Sequence, residues 1–485
     1  MLNLKIIFKI IGQLLFIESL MFLSCLIMSI YYQEDDTFAF LISITITTLC
    51  GILFKFLGRK AENTLNRRDA YLVVTLTWII FSLFGTFPFI ISGYLTNFAG
   101  AYLETMSGFT TTGASVIDNV DRFPHALLFW RSMTHWIGGL GIVFFTVAVL
   151  PSLVGGSVKV FTAESTGPIK SKLHPRLSTT AKWIWMVYLV LTAACVLSFW
   201  IGGMGFFDSV NYSMAITATG GFSTHSQSIA YFNSPTIEYI GIVFQFLSGM
   251  NFTLIYLSIF KGKFSLIPKN SEFKFYTILV LISTAWIAVL LVRYNHYDVS
   301  HAIRSSMFQV VSLITTTGMY SDNAGLWPHM TWLILSICMF FGACAGSTSG
   351  GLKCIRGVMI MKVIRNEFLH ILHPKAVLPI RIDGENVLPS AVPKLMAFFA
   401  LYILLCLLGA VYMISMGIES TDAVTISLSS LSNVGPALGN EISPISSWSP
   451  LPDSVKWVCS ALMLLGRLEI FTVLVIFTPG FWKDN

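Results

Sequence analysis

Long apolar stretches separated by short polar links dominate this chain. Residues 5–31 and 37–57 each hold enough consecutive apolar positions to cross a bilayer as a helix, which takes about 20 residues. From residue 69 onward one pattern recurs four times: a long apolar stretch, a shorter semi-polar stretch and a second long apolar stretch. Such runs indicate helices, because a helix pairs its own backbone groups in lipid. The predicted fold class is an all-α integral membrane protein.

The recurring pattern divides the chain into five parts. They are two N-terminal transmembrane helices in residues 1–68 and four repeats in residues 69–180, 181–272, 273–392 and 393–485. In each repeat the shorter stretch predicts a half-helix, at about 98–111, 206–218, 303–316 and 420–432. The stretches that follow them, such as 125–150, 237–260 and 328–363, predict return spans. With the N-terminal pair, this pattern predicts ten full spans.

Lysine and arginine concentrate in the links between repeats. Basic residues follow each return stretch, whereas residues 202–236 and 418–455 on the opposite side contain none. Cytoplasmic loops of membrane proteins carry such an excess of Lys and Arg, so both termini and every repeat boundary are expected in the cytoplasm. The half-helices would then enter from the other side and return without crossing. The four repeats would be parallel copies around one central axis.

Composition supports a membrane protein and argues against other classes. The chain has 485 residues, of which 55% are hydrophobic and 11% charged, whereas about a quarter of a soluble domain is charged. The net charge of +6 arises in the cytoplasmic links and does not imply nucleic acid as a partner. No catalytic constellation, metal-ligand spacing or C-x-x-C pair occurs, so we expect neither an enzyme nor an organic cofactor.

Each half-helix ends at a short polar sequence that contains a glycine. The four sequences are Thr110-Thr111-Thr112-Gly113, Thr217-Ala218-Thr219-Gly220, Thr315-Thr316-Thr317-Gly318 and Ser432-Asn433-Val434-Gly435. Their near-equal spacing and matching context predict four segments that meet at the axis. The alternative for any single copy is that Thr and Gly pack helices together, as they often do in membranes.

Segments of this composition suit a cation. Extended backbone at membrane depth is tolerated where it lines water, and converging carbonyl oxygens can replace the hydration shell of an ion. Glycine permits the backbone angles that this needs, and hydroxyl groups can add ligands or tie the segment to the half-helix behind it. The half-helices would also direct the negative ends of their dipoles at the ion. No ring of acidic residues occurs here, so selectivity would come from carbonyls.

These repeats resemble those of the Trk/Ktr/HKT superfamily of potassium transporters, and the two extra N-terminal spans resemble its TrkH branch. The resemblance covers essentially the whole chain. In that family each repeat contributes one filter strand with one key glycine, and the matching residues here are Gly113, Gly220, Gly318 and Gly435. Glycine at all four positions implies potassium as the ion, whereas serine in the first repeat goes with sodium permeation. The fourth copy departs most, since it lacks threonine, and this predicts modest selectivity over sodium.

The resemblance also implies an environment and partners. It implies potassium uptake across a bacterial inner membrane, a homodimer, and a peripheral TrkA-type subunit that brings nucleotide-binding domains to the basic loops. The longest cytoplasmic links of this chain are only about 30 residues, too short for a nucleotide-binding domain. The filter carbonyls would include those of the residues that follow the tetrapeptides, namely Ala114, Gly221, Met319 and Pro436.

Two features below the predicted filter suggest a gate. The third return stretch contains Gly342-Ala343-Cys344-Ala345-Gly346-Ser347-Thr348-Ser349-Gly350-Gly351, which is a poor helix interior, so the helix is expected to break there. The resemblance implies that such an intramembrane loop acts as a gate. Arg467 lies inside the last apolar stretch, where a charge is costly, and we expect it to bond the carbonyls of residues 346–351 and repel cations. The alternatives are close packing of small residues and a salt bridge that locks helices.

Two alternative functions are also consistent with the sequence. A symporter coupled to protons or sodium would need an intramembrane carboxylate, for which Glu469 is the main candidate. A membrane scaffold whose repeats only pack is the second alternative.

Gly138-Gly139-Leu140-Gly141 is interpreted as helix packing and His135 as an interior hydrogen-bonding group. Glu104 and Asp208 are interpreted as helix caps.

Overall fold

The computed structural model describes residues 2–61, 66–141, 177–376 and 378–483. It is mostly α-helical, with one antiparallel hairpin that pairs Arg381–Ile382 with Glu385–Asn386. In chain order the described helices are α1 Leu4–Tyr32, α2 Thr37–Leu57, α3 Arg67–Gly85, α4 Phe87–Ile91, α5 Phe98–Phe109, α6 His125–Leu140, α7 Leu177–Ile201, α8 Phe206–Thr217, α9 Pro235–Ser248, α10 Phe252–Ile259, α11 Ser271–Tyr294, α12 Val299–Ile314, α13 His329–Phe341, α14 Cys354–Leu372, α15 Ala391–Ser415, α16 Ser420–Ser432, α17 Asp453–Arg467, α18 Phe471–Leu474 and α19 Pro479–Trp482.

Burial follows the pattern of a membrane protein. Large apolar side chains lie on the outside of the bundle, as with Leu20 at 65% exposure and Ile201 at 83%, while the threonines at 110–112 are inaccessible. Six helical segments in the described ranges are long and apolar enough to cross a membrane: 4–32, 37–57, 67–91, 181–201, 271–294 and 391–415. They are the N-terminal pair and the first helix of each repeat pattern. The chain is therefore a multi-pass membrane protein.

Four short helices, α5, α8, α12 and α16, lie inside the bundle. Their bounds agree with the predicted half-helices to within a few residues, except that α12 begins at Val299 and not near 303. Asn97 and Asp298 explain two of the starts, because each side chain accepts a backbone N–H of the first turn, from Gly100 and Ser300 respectively. Glu104 is not the cap that the sequence suggested, since α5 begins at Phe98 and Glu104 is in its middle.

The return helices, which follow the four short helices in the sequence, contact the short helices in a closed cycle. Helix α6 packs against α5 and α8, α9 against α8 and α12, and α13 against α12 and α16. Helix α17 then packs against α16 and returns to α5. Each of these return helices thus touches the short helix of its own sequence unit and that of the next, which brings the C-terminal ends of the short helices together.

The second, third and fourth return helices are interrupted, which the sequence predicted only for the third. Helices α9 and α10 meet at 101°, and α17 meets the following turn, which ends at Phe477, at 107°. Between α13 and α14 the chain is non-helical from Gly342 to Lys353. The prediction of a continuous span over 237–260 is therefore wrong. Helix α6 ends at Leu140, and the remainder of the predicted span 125–150 lies outside the described residues.

Candidate functional site

The four short helices end in the same backbone turn. Thr111, Thr219, Thr316 and Asn433 all have left-handed φ values, of 54°, 55°, 58° and 56°. The next residue in each case donates its N–H to a carbonyl five residues back, over 2.8 Å for Thr112, Gly220 and Thr317 and 3.0 Å for Val434. This 6→1 hydrogen bond is the Schellman cap, which satisfies carbonyls at a helix end. Because the cap recurs four times, it shows which residues of the four segments are equivalent.

The cap corrects the predicted match in the second segment. Two residues after each left-handed residue comes a glycine with positive φ: Gly113 at 84°, Gly221 at 88°, Gly318 at 77° and Gly435 at 102°. The equivalent of Gly113 is therefore Gly221, and Gly220 corresponds to Thr112. The sequence match was displaced by one residue because Thr217-Ala218-Thr219-Gly220 happens to resemble the first tetrapeptide, whereas Thr217 still belongs to α8.

The four segments contact one another in a closed ring. A Cβ added to Gly113 would lie 2.0 Å from the carbonyl oxygen of Gly220, and one on Gly221 would lie 1.9 Å from that of Thr317. A Cβ on Gly318 would lie 2.2 Å from the Val434 oxygen, and one on Gly435 would lie 2.5 Å from the Thr112 oxygen. Glycine is needed at these positions both for its φ and for the space that a side chain would occupy.

Four buried carbonyl oxygens of this ring lack hydrogen-bond donors. They belong to Thr112, Gly220, Thr317 and Val434, and none of them accepts a hydrogen bond from any described residue. Buried carbonyls are nearly always paired, so an unpaired set of four calls for an explanation. Oxygen is the ligand that hard cations prefer, and equivalent carbonyls from four segments can surround one ion.

The side chains of the segments mainly support the backbone. Thr110 donates to the Met106 carbonyl at 2.6 Å and lies 2.8 Å from the Thr112 hydroxyl. Thr315 makes the same two contacts, with Val311 and Thr317, at 2.7 and 2.8 Å. These hydroxyls tie each segment to the helix behind it, so the backbone carbonyls are the better candidates for ion ligands.

Asn433 joins the fourth segment to the first. Its Nδ2 donates to the Thr112 hydroxyl at 3.0 Å and to the Met463 carbonyl at 2.9 Å. Asparagine tolerates the left-handed conformation of a helix C-cap better than most residues do. The missing threonines of this copy therefore do not leave the ring open, because the Asn433 amide supplies the contact.

A buried ion pair holds the chain just beyond the first two segments. Arg131 Nε lies 2.9 Å from Glu104 Oε1, with side-chain exposures of 3% and 0%. The other carboxylate oxygen accepts the Val116 N–H at 2.9 Å, and Arg131 also donates to the Ser223 carbonyl at 3.0 Å. We did not identify this pair from the sequence, although an arginine in an apolar stretch such as 125–140 is a signal for a buried partner.

His135 lies behind the second segment. The Phe222 N–H donates to its Nδ1 at 3.4 Å, and the two rings stack with centroids 4.0 Å apart. This agrees with the interpretation of His135 as an interior hydrogen-bonding group. A Cβ on Gly220 would lie 2.4 Å from the imidazole Cγ, so the ring leaves no room for a side chain there.

A second charged cluster lies in the loops that follow the first two segments. His225 Nδ1 lies 2.9 Å from Asp121 and its Nε2 lies 3.6 Å from Asp208. Asp208 also accepts from the Thr224 hydroxyl at 2.6 Å, so it anchors this loop and does not cap its helix. Partial burial opposes charge on His225, but the two carboxylates outweigh it and raise the pKa of His225 above 6.5. Asp121 gains hydrogen bonds from Ser226 and His225, which outweigh burial and lower its pKa below 3.8.

We predict that this cluster makes thermal stability depend on pH. The His225 contribution is complete below pH 6.5 and is lost as pH rises through the raised pKa, because the histidine is then neutral in both states. The Asp121 contribution is present above pH 3.8 and is lost as pH falls through its lowered pKa. Partly exposed pairs contribute about 1 kcal/mol or less, so Tm in detergent should fall by roughly 2 °C between pH 6 and 8.5. His225→Gln should remove most of this difference; an unchanged pH profile in the variant would contradict the assignment.

The other face of the ring is covered by the non-helical stretch between α13 and α14. The Thr348 hydroxyl donates to the Thr217 carbonyl at 3.0 Å, and the Gly350 N–H donates to the Thr316 hydroxyl at 2.7 Å. The Gly351 N–H donates to the Ser432 carbonyl at 2.8 Å. The stretch therefore contacts the last residue of α8, just before the second segment, and the third and fourth segments. Residues 342–353 are called the gating loop below, after the role that the sequence analysis predicts for them.

Arg467 contacts the gating loop and the end of α6. Its guanidinium donates to the Thr348 carbonyl at 3.0 Å and to the Gly139 carbonyl at 2.8 Å, and it also bonds the Gly138 carbonyl. The expected contact with carbonyls of residues 346–351 is present. The glycines at 138 and 139 do pack closely, against Phe109 and Ala218, but they additionally present carbonyls to Arg467. The end of α5, just before the first segment, is thus linked to the gating loop through α6 and Arg467.

Glu469 pairs with the helix that follows the gating loop. Its carboxylate lies 2.8 Å from a guanidinium nitrogen of Arg356 in the first turn of α14. Arg356 also donates to the Leu352 carbonyl at 3.1 Å. The carboxylate that the symport alternative relied on is therefore already engaged by a cation.

A closed ring of buried carbonyls inside a bundle with an apolar exterior is the site of a membrane transport protein. Residues 36–483 match the TrkH family model, described as a cation transport protein, and the chain belongs to this family. Among curated proteins it is 35% identical to the Trk system potassium uptake protein TrkH of Halomonas elongata, covering 99% of this chain and 100% of the relative. It is 36% identical to the TrkH of Escherichia coli K12, covering 99% of both.

The fold is also similar to a solved structure. The crystal structure of the potassium transporter TrkH from Vibrio parahaemolyticus matches with a TM-score of 0.90 and 33% sequence identity. The match covers 99% of this chain and 100% of that one. These relatives are transporters, and none of the comparisons indicates an enzymatic family.

Proposed function

We propose that this chain conducts potassium ions through the ring of four segments, as the membrane subunit of a bacterial Trk uptake system. The four repeats, 69–180, 181–272, 273–392 and 393–485, form parallel units around a central pore, with residues 1–68 packed outside them. The observation that carries the proposal is the set of four equivalent buried carbonyls that accept no hydrogen bond from the described residues. The names of the relatives, which are potassium uptake proteins, support the choice of ion.

In this proposal the filter residues follow the corrected match. They are Thr110–Ala114, Ala218–Phe222, Thr315–Met319 and Ser432–Pro436. Carbonyl oxygens replace the water around the ion, and no proton transfer or covalent step is involved. The four short helices end at the ring, and the negative end of each helix dipole favours a cation by about 0.3–1 kcal/mol. The hydrogen bonds from the side chains of Thr110, Thr315 and Asn433 to helix carbonyls behind the segments fix the size of the ring.

The gating loop and Arg467 act as the gate in the same proposal. The loop contacts the third and fourth filter segments and the end of α8, and Arg467 contacts both the loop and α6, so together they obstruct the path on that side of the ring. The guanidinium adds electrostatic repulsion, which is strong where water is excluded. Uptake then requires the loop to move away from the ring and Arg467 to lose its contact with Thr348.

The environment and partners are also part of the proposal. The chain lies in the inner membrane with its filter loops outside and both termini in the cytoplasm, as the positions of Lys and Arg indicate. It assembles as a homodimer, and a TrkA-type regulatory subunit docks on basic links such as that containing Lys362, Arg365 and Arg381. Channel-like conduction is favoured over symport because Glu469 is paired with Arg356.

Flux in liposomes tests the proposed function. Purified protein in potassium-loaded vesicles should take up radioactive rubidium driven by its own gradient, with no need for sodium or a proton gradient, and vesicles without protein should not. A strict requirement for sodium or protons would replace conduction by symport. Absence of rubidium flux under every condition, from protein that elutes as a single species, would overturn the proposal in favour of a scaffold.

A further inference from the structure

The gating loop is attached at two places, at its tip and at its base. The tip, residues 347–351, contacts the filter segments and Arg467 through the hydrogen bonds described above. The base is formed by the two chain segments where the loop leaves α13 and enters α14. There the Cys354 N–H donates to the Ala343 carbonyl at 2.9 Å, and the Leu352 N–H donates to the Phe340 carbonyl at 3.1 Å. Motion of the tip therefore depends on what holds the base.

One carboxylate oxygen joins both sides of this base. Glu272 Oε1 accepts the N–H of Ala345 at 2.6 Å, on the side that leaves α13, and the N–H of Ile355 at 3.0 Å, on the side that enters α14. The Glu272 residue is 4% exposed. The oxygen satisfies two backbone N–H groups at once, and a buried N–H without a partner is costly.

Glu272 belongs to a part of the fold that does not depend on the loop. It lies in the first turn of α11, whose start is capped by the side chain of Asn270. The hairpin at 381–386 adds support, because Asp383 accepts the Ser271 N–H at 2.7 Å and the Asn270 side-chain N–H at 2.9 Å. The Glu272 oxygen is therefore fixed from outside the loop.

The loop base has a second attachment on the opposite side. The Cys344 N–H donates to the Gly249 carbonyl at 3.0 Å, and the Phe252 N–H donates to the Gly346 carbonyl at 3.0 Å. Asn251 Nδ2 donates to the Ala345 carbonyl at 2.7 Å. These bonds involve the side that leaves α13. Of the base contacts named here, the Glu272 oxygen is the one from another helix that reaches both sides.

We propose that Glu272 is the positioning residue of the gate: by holding the N–H groups of Ala345 and Ile355 together, it keeps the tip of the gating loop beneath the filter. This inference rests on the proposed function of the loop and deepens it. Without the Glu272 oxygen the two sides of the base are joined only by the direct Cys354–Ala343 and Leu352–Phe340 hydrogen bonds, and the tip loses its alignment with Thr316 and Ser432. Leak through the filter then rises while the filter itself is unchanged.

The test compares three variants in the full-length protein, with two readouts. Glu272→Ala removes the acceptor, Glu272→Asp shortens it by one methylene, and Glu272→Gln keeps an oxygen at the same reach. Glu385→Gln, in the exposed hairpin strand, serves as the control carboxylate. Hydrogen exchange of peptides that cover residues 343–355 measures the clamp directly, and rubidium flux in liposomes measures its consequence.

Glu272→Ala should lower exchange protection of Ala345 and Ile355 by about 10-fold and raise rubidium flux by about 10-fold, with the rubidium-to-sodium ratio unchanged. Glu272→Asp should give exchange protection and rubidium flux between those of Glu272→Ala and the parent. This variant keeps the test valid if the alanine variant folds poorly. Glu272→Gln should stay within about twofold of the parent in both readouts. A general structural defect would not be rescued by glutamine in this way.

Deletion of the loop tip provides the second comparison. In a protein that lacks residues 347–351, Glu272→Ala should change flux by less than about twofold, because the tip that it positions is absent. If Glu272→Ala raises rubidium flux equally in the tip-deleted protein and in the complete protein, the proposal is overturned. Unchanged exchange protection of Ala345 and Ile355 in Glu272→Ala would also overturn it. If the parent protein conducts no rubidium, the proposed function fails, whereas the exchange measurement still decides whether Glu272 holds the loop.

Discussion

Replacing Gly221 with alanine is expected to abolish selective uptake. Gly221 has φ +88°, and a Cβ there would lie 1.9 Å from the carbonyl oxygen of Thr317. The left-handed conformation costs a non-glycine residue about 1–2 kcal/mol, and the neighbour is backbone that cannot rotate away. The second and third segments must therefore separate, and the ring loses its fixed size. We expect the potassium-to-sodium permeability ratio, measured from reversal potentials in planar bilayers, to fall by at least about 10-fold.

Gly220 provides the matched control for this prediction. Gly220→Ala should also impair selectivity, but its obstacle is the side chain of His135, 2.4 Å from the added Cβ. His135→Ala removes the imidazole that obstructs residue 220. When it is combined with Gly220→Ala it should restore much of the lost selectivity, whereas combined with Gly221→Ala it should restore none. If both double variants recover equally, the corrected match of the second segment is wrong, and Gly220 is the equivalent of Gly113 as the sequence suggested.

Replacing Arg467 with alanine is expected to accelerate uptake. The guanidinium donates to the carbonyls of Thr348, Gly138 and Gly139, so the change releases the loop tip and removes a positive charge from its surroundings. A barrier lowered by about 1.4 kcal/mol gives a tenfold faster flux, and hydrogen bonds to a charged group contribute about 1.5–3 kcal/mol each. We therefore expect rubidium flux in liposomes to rise by at least about 10-fold.

Two further variants separate repulsion from anchoring. Arg467→Lys keeps the charge but not the planar fork that reaches several carbonyls, so an intermediate flux indicates that both effects operate. Arg293→Ala, at the exposed end of α11, should behave like the parent. If Arg467→Ala lowers expression or Tm and leaves flux per folded molecule unchanged, Arg467 is a helix lock and the barrier interpretation is wrong.

The architecture was predictable from the sequence because membrane insertion leaves a strong pattern. Within the described ranges, the apolar stretches located the six helices that are long enough to cross a membrane, and the semi-polar stretches located α5, α8 and α16 to within two residues. The break in the third return helix was also predictable, since glycines are concentrated between 342 and 351. In each case many residues contribute to the pattern that predicts the helix or the break, so a single unusual residue does not change the prediction.

The register of the ring was not predictable, because it depends on a single residue. Thr217–Gly220 and Ala218–Gly221 are both reasonable matches to the first tetrapeptide, and the backbone conformation distinguishes them, through the left-handed φ of Thr219 and the positive φ of Gly221. The breaks near Gly249 and Gly466 were missed for a related reason. One glycine in an apolar helix costs about 1 kcal/mol, and the close approach of Gly466 to the Leu431 carbonyl depends on tertiary packing.

Buried polar pairs were the other part that the sequence left undetermined. Arg131 and Glu104 are 27 residues apart, and Glu272 lies more than 70 residues before the loop that it contacts. Each residue alone is an unexplained charge in or near an apolar stretch. The partner is determined by the cycle in which each return helix touches two short helices, and that cycle emerges only when the whole chain is assembled.

Localising a bound ion tests the central claim most directly. In crystals of this protein grown with thallium or rubidium in place of potassium, anomalous scattering should show an ion on the axis of the ring. The ion should contact the carbonyl oxygens of Thr112, Gly220, Thr317 and Val434, at similar distances from all four segments. Anomalous density that is absent from the ring, or that lies only elsewhere in the bundle, would contradict the account.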